Sequence, residues 1–294
     1  MKPTGFDGGS ILPFRLGQPR ARGASRSRAL RALLELPGSW VGGGLHVQTG
    51  PPPTGGTAPV QVTVDLTRET ITFAAVSVPA SPGRTRRGDG EIPGVYFLRR
   101  VSDAVTGRML RAESGAWLSV KATNTGHGGP SLLWLGSALG DGELLAAGAH
   151  RLILGPPRIE PLDMIPVELT DRTPITTPER FASLLPAGVR PDLVLDPAVM
   201  LTDRLLARHV TRTAVLPVST DNEPGEAAAD ISSSAFRKRE HAGLTAEVTL
   251  WLQTLAAENT PADGPQALQF LSRRVLDDGG ISRSEVWVAD LERS

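Results

Sequence analysis

The sequence predicts a mainly β protein whose first half forms an antiparallel, lipocalin-like β-barrel, joined by additional C-terminal antiparallel strands and one notable helix. Three observations carry this prediction. The first is the run Leu36-Pro37-Gly38-Ser39-Trp40-Val41-Gly42-Gly43-Gly44-Leu45-His46-Val47, where a Gly-x-Trp step enters a glycine-rich strand. A tryptophan there can close a barrel floor, and glycines let the strand coil at a corner. The second is alternation: Val60, Val62, Val64 and Leu66 interleave with Gln61, Thr63, Asp65 and Thr67, the period-two mark of a half-buried strand. The third is the recurrence of such segments between Gly- and Pro-rich turns, with little helical periodicity to compete.

Taken in order, residues 1–35 are a basic leader. Within residues 1–31, Lys2, Arg15, Arg20, Arg22, Arg26, Arg28 and Arg31 face the single acid Asp7. Gly, Ser and Pro fill the gaps, as in a flexible tail. Residues 29–36 could fold as a short helix, with Leu30, Leu33 and Leu34 on one face plugging a barrel end. Residues 36–155 form the first barrel half. Pro51-Pro52-Pro53-Thr54-Gly55-Gly56 is a loop that no sheet absorbs.

Residues 69–78 are expected to be a second strand, paired with the first through a hairpin at Thr67-Arg68, and a phase slip between Phe73 and Val76 reads as a bulge. A polar loop over 79–94 carries Arg84, Arg86 and Arg87, most simply as solvated surface. Strands follow at 94–102, 108–113, 116–122, 131–135 and 143–147. Residues 156–211 form a Pro-rich crossover with a short helix near 179–185. A longer amphipathic helix over 196–209 opens on Asp196-Pro197, an N-cap and a first-turn proline. Residues 212–294 form the second antiparallel half, with strands at 212–219, 244–255, 266–276 and 284–291 joining or abutting the first barrel.

Composition bounds the function. The 294 residues carry 31 basic and 31 acidic side chains. With no net field to hold a polyanion, nucleic acid is not an expected partner. Cysteine is absent, which removes disulfides, thiolate metal sites and Cys nucleophiles and accords with a reducing compartment. No apolar run approaches the roughly 20 residues of a membrane span, and the N-terminus has no signal-peptide core. The expectation is a cytoplasmic protein with no membrane partner.

Phosphate-binding glycine loops, His-Glu-x-x-His and Gly-x-Ser-x-Gly motifs are missing. What remains is aromatic. Only 4% of the chain is Phe, Trp or Tyr, yet Trp40, Tyr96, Phe97, Trp117, Trp134, Trp251 and Trp287 sit mainly on strands. They are either ordinary core or the walls of a pocket for a flat hydrophobic molecule.

The opening run resembles the Leu-Pro-Gly-Thr-Trp-x-Gly-x-Gly start of microbial β-rich proteins catalogued as haem-binding. Further similar stretches follow in order: Glu69-Thr70-Ile71-Thr72-Phe73, Gly94-Val95-Tyr96-Phe97-Leu98, Glu113-Ser114-Gly115-Ala116-Trp117-Leu118 and Val286-Trp287-Val288-Ala289-Asp290-Leu291. The resemblance implies haem as cofactor, but two stretches where that family carries histidine, Leu135-Gly136-Ser137-Ala138 and Arg283-Ser284-Glu285, have none. A haem ligand would then come from His46, His127, His150, Tyr96 or a methionine, with His46 the foremost candidate. The expected partner is a hydrophobic small molecule, haem included, walled by Trp40, His46, Tyr96, Trp117 and Trp251. The alternative is a cofactor-free cyclase or isomerase, with Tyr96 and His46 as hydrogen-bond donors and Trp117 and Trp251 stacking the substrate.

Overall fold

The structure is a computed structural model and describes residues 15–16, 28–50, 61–79, 91–120, 131–138, 142–162, 164, 185–187, 189–222, 244–256, 264–278 and 281–294. Ten antiparallel strands close into one barrel: β2 (Gly38–Gly50), β3 (Gln61–Pro79), β4 (Glu91–Asp103), β5 (Met109–Ser119), β6 (Leu132–Ala138), β7 (Gly142–Gly148), β9 (Val210–Ser219), β10 (Leu244–Leu255), β11 (Ala267–Asp278) and β12 (Ile281–Arg293). Two short strands add to it. β1 (Arg15–Leu16) pairs with β3, and β8 (Arg151–Leu154) continues along β9 where β7 leaves off. Closure comes from β12 lying beside β2, in a register running from Ser284↔Thr49 to Arg293↔Trp40.

The second half therefore joins the first, as its strands complete the same wall. Other expectations need correction. No hairpin interrupts Thr67-Arg68: β3 is a single strand paired with β2 from Gln61↔Gly50 to Phe73↔Gly38. Nor is there a bulge between Phe73 and Val76, whose pairing to β4 runs unbroken from Phe73↔Phe97 to Val76↔Gly94. Both misreadings have one cause. Val64 and Leu66 pack on the outside of the barrel, whereas Ile71 and Phe73 pack inside it. The strand turns its apolar face inward between Leu66 and Ile71 and outward again after Phe73, where Val76 and Val78 share the outer parity, without changing register.

Three short helices complete the described fold. α1 (Arg28–Leu33) places Ala29, Ala32 and Leu33 against Leu36, Trp40 and the inner core, sealing one end of the barrel as the sequence predicts for residues 29–36. α2 (Asp192–Leu195) and α3 (Ala198–Leu206) lie on the outer wall. α3 falls within the predicted 196–209 segment, and the Asp196 carboxylate accepts hydrogen bonds from the backbone N–H groups of Ala198 and Leu162, both at 3.0 Å. The leader before residue 28 apart from β1, the Arg84–Arg87 loop, His127 and residues 179–184 of the short helix expected near 179–185 lie outside the described residues.

Burial on both faces of the wall defines two main cores. The inner core gathers Trp40, Phe73, Phe97, Trp117, Trp134, Leu250, Phe270 and Trp287. An outer core sandwiches Leu45, Val47, Trp251, Leu271, Val286 and Val288 beneath Met164, Ala198 and Leu201. Trp251 therefore holds the α3 segment to the outside of the barrel. Replacing it with Ala is expected to lower the unfolding free energy by about 3–5 kcal/mol in urea titrations followed by circular dichroism. A loss below about 1 kcal/mol would contradict this packing role.

Candidate functional site

The inner face is layered along the barrel axis. At the sealed end, the Trp40 indole N–H donates to the Leu36 carbonyl at 2.8 Å. The Arg293 guanidinium lies over its ring, 5.0 Å from the centroid, and donates to the carbonyls of Glu35 and Pro37. The C-terminal strand thus ties down the floor. Above it, Phe97 stacks on Trp134 with centroids 6.3 Å apart, and Phe73 sits 6.4 Å from Phe97. Gly136 is the inward-facing position beside this stack, and a Cβ there would collide with the Trp134 indole. Close packing of that ring excludes any larger residue at 136. A cavity of about 10 Å³, bordered by Phe97, Arg99, Glu113, Trp117, Trp134 and Phe270, lies in this region, room for one water molecule.

A belt of charge crosses the lumen above the aromatics. Arg99, 1% exposed, donates from Nε to Glu69 Oε2 at 2.8 Å and from Nη1 to Glu113 Oε2 at 2.9 Å. Its guanidinium lies 4.2 Å from the centroid of Phe270. Thr67 completes the Glu69 carboxylate by donating to Oε1 at 3.1 Å. Glu113 receives Arg111 Nε at 2.7 Å and Arg274 Nη2 at 2.8 Å as well. Burial alone would raise the Glu113 pKa, but the guanidiniums of Arg99, Arg111 and Arg274 outweigh it and hold the carboxyl at about 2.

At the end opposite α1, the mouth of the barrel, the belt reaches His46. Its ring stacks on Trp287, with centroids 3.8 Å apart and planes 13° from parallel. Nδ1 makes a 2.9 Å hydrogen bond with Asp65 Oδ2. Nε2 lies 3.3 Å from Glu285 Oε1, an ion-pair distance, yet no acceptor meets hydrogen-bond geometry there. Arg111 Nη1 sits 3.2 Å and 3.3 Å from the two Glu285 oxygens. Burial opposes protonation of His46, but the Asp65 and Glu285 carboxylates prevail and raise its pKa above the ordinary 6.5. Glu285 is likewise pulled down against burial, to about 2, chiefly by His46 and Arg111. Four carboxylates (Asp65, Glu69, Glu113, Glu285) thus face three guanidiniums (Arg99, Arg111, Arg274) and the imidazole of His46.

The sequence-predicted site residues separate. Trp40, Trp117 and His46 point into the lumen, Trp40 in the floor, Trp117 by the cavity and His46 at the mouth. Tyr96 alternates with the inward-facing Val95 and Phe97, so it is half-buried on the outer face. Trp251 belongs to the outer core. Sequence reasoning passed over the charged belt, although parity marks it. Stepping by two from Phe73 reaches Glu69 and Asp65, from Phe97 Arg99, from Trp117 Glu113 and Arg111, from Phe270 Arg274, and from Trp287 Glu285.

Haem was tested against these residues. The resemblance implies an imidazole ligand, but both His46 nitrogens face carboxylates and its plane is covered by Trp287. His150 is half-buried beside β8 and His209 is exposed, neither in the lumen, while His127 and His241 lie outside the described residues. Among the described residues no cluster of three or more His, Cys, Asp or Glu is placed to hold a metal ion. The described residues do not fit haem. None of the described helices is long and apolar enough to cross a membrane.

Comparison with known proteins adds little to this geometry. No protein-family model matches the chain, and no curated protein does. Among solved structures, the crystal structure of Rv2717c from M. tuberculosis is similar over 91% of this chain and 98% of that one, at 12% identity and a TM-score of 0.38. The strand pairing itself defines the class, a ten-stranded, lipocalin-like antiparallel barrel.

The network has a signed pH dependence. The folded-state pKa of His46 is raised, so its contribution is complete below the unfolded value of 6.5 and is lost as pH rises through the folded value. Glu113 and Glu285 are depressed from 4.5 to about 2, so their contributions hold above 4.5 and are lost as pH falls towards 2. Stability from this cluster is greatest between those limits. Urea midpoints are expected to peak near about pH 5.5, and His46→Gln is expected to flatten the alkaline side. An alkaline slope unchanged in that variant would contradict the assignment.

Proposed function

We propose that the protein binds a small, flat, largely apolar organic molecule at the end of the barrel opposite α1, where His46, Trp287, Arg111 and Glu285 meet. The observation that carries this reading is the one-sidedness of the lumen. α1 and Arg293 seal the aromatic end, and ionisable groups are gathered towards the other. Buried ion networks seldom stabilise a fold more than apolar packing of the same volume. Charges collected at one end of a closed barrel are therefore better explained by recognition than by stability.

The partial exposure of Asp65 and Glu285, each with 23% of its side chain accessible, supports entry from this end. The Trp287–His46 stack offers a flat aromatic edge there. The water-sized cavity beyond the belt implies that a ligand seats at the mouth or displaces side chains to go deeper. Haem is not part of this reading, because the described residues do not fit it. A cyclase using Tyr96 and His46 together is not favoured either, since the two side chains lie on opposite faces of the wall.

Titration with naphthamide, naphthoate and haemin, followed by tryptophan fluorescence and visible absorption, tests the proposal. The expected result is saturable quenching by a naphthalene with a dissociation constant below about 0.1 mM, weakened about fivefold or more by His46→Gln, and no Soret band from bound haem. Absence of saturable quenching by either naphthalene overturns the reading. A Soret band abolished by His46→Gln would replace it with haem binding.

A further inference from the structure

We infer that the molecule recognised at the mouth is an anion, a flat aromatic carboxylate, and that Glu285 is an internal stand-in for it. This inference rests on the binding reading above and names the chemistry of its ligand.

Two classes of contact distinguish Glu285 from the rest of the belt. The inner pairs are short: Arg99 to Glu69 at 2.8 Å, Arg99 to Glu113 at 2.9 Å, Arg111 to Glu113 at 2.7 Å and Arg274 to Glu113 at 2.8 Å. Glu285 sits at 3.3 Å from His46 Nε2 and at 3.2 Å and 3.3 Å from Arg111 Nη1. Its side chain is also more accessible than that of Glu113. Charge-assisted bonds are normally close to 2.7–2.9 Å, so Glu285 supplies charge at the mouth without the geometry of a well-fitted acceptor.

The imidazole it faces is left incompletely satisfied. His46 is 7% exposed and its Nε2 has no hydrogen-bond acceptor in proper geometry. The indole N–H of Trp287, against which His46 is stacked and which is 3% exposed, also lacks an acceptor. A buried donor without an acceptor in proper geometry, facing a partly exposed and loosely held carboxylate, describes an acceptor site filled by a poor fit.

Asp65 does not qualify as the displaced group. Its 2.9 Å bond to Nδ1 orients the imidazole so that Nε2 points towards Glu285. A carboxylate on a flat aromatic body would bring two acceptor oxygens to Nε2 and Arg111 Nη1 while Glu285 turns to solvent. A neutral molecule in the same place would remove the charge that Glu285 supplies to His46 Nε2 and Arg111 Nη1 and leave only Asp65 at Nδ1 and Glu113 at Nε to balance them. No bond is made or broken: the exchange is of one carboxylate for another.

The test compares naphthoate with its neutral isostere naphthamide on the full chain and on Glu285→Gln. Removing the resident carboxylate is expected to tighten naphthoate about tenfold or more and to change naphthamide less than about twofold. Arg111→Gln in the otherwise unaltered chain is expected to remove the naphthoate preference, which keeps the test decisive if Glu285→Gln does not fold. Naphthoate affinity unchanged or weakened in folded Glu285→Gln overturns the inference, as does a naphthoate preference that survives Arg111→Gln. If naphthamide binds the unaltered chain as well as naphthoate does and neither substitution separates them, the anion inference falls while the binding reading stands. If neither compound binds any of the three proteins, both fall.

Discussion

The structure depends on one buried guanidinium. Arg99 lies within the barrel, almost wholly shielded from water, with Glu69 on one side, Glu113 on the other and the Phe270 ring across its face. A charge in that position is tolerable only if every donor direction meets a counter-charge or an aromatic face. That requirement propagates outward. Glu113 has more acceptor capacity than Arg99 uses and recruits Arg111 and Arg274. Arg111 then reaches Glu285, and Glu285 reaches His46. Strands β2, β3, β4, β5, β11 and β12 each contribute a member, so the belt crosses the lumen and pins six strands of the wall to a common centre.

The belt also divides the molecule chemically. Below it the lumen is aromatic, closed by α1 and packed around a cavity of about 10 Å³. Above it the side chains touch solvent and carry unsatisfied donors. A barrel filled in this way resembles a packed core with one chemically active end more than it resembles an open cup. The outer core under α3 adds stability from the far side of the wall, which leaves the mouth free of that duty.

Much of the fold was legible in the sequence, because period-two patterning survives wherever one face of a strand is apolar. The strand at 244–255 followed from it, while the Gly-x-Trp step gave the Trp40 opening and the helical spacing of Leu30, Leu33 and Leu34 gave the α1 plug. It failed at β3, where the apolar face passes from outside to inside midway and mimics a turn. The site was less legible. His46, Trp40 and Trp117 were found because histidine and tryptophan attract notice by type. Trp251 was misplaced because the outer wall of this barrel is also buried, so burial did not imply the lumen. The belt was missed because Glu69, Arg99 and Glu113, taken one at a time, look like ordinary solvent-facing charges on amphipathic strands. Only their parity with Phe73, Phe97 and Trp117 turns them inward, and parity becomes decisive once the closed register is known.

The central claim is that the Arg99 ion pairs organise the lumen as one coupled unit. A double-mutant cycle on Arg99 and Glu69 tests it most directly, using Arg99→Met, Glu69→Gln and the double substitution with unfolding free energies from urea titration. Each single change strands a buried charge and should cost about 3–5 kcal/mol. The double change should cost at least about 1 kcal/mol less than the sum of the singles. Small single effects that simply add would show that these groups are independent surface-like charges and would contradict the account.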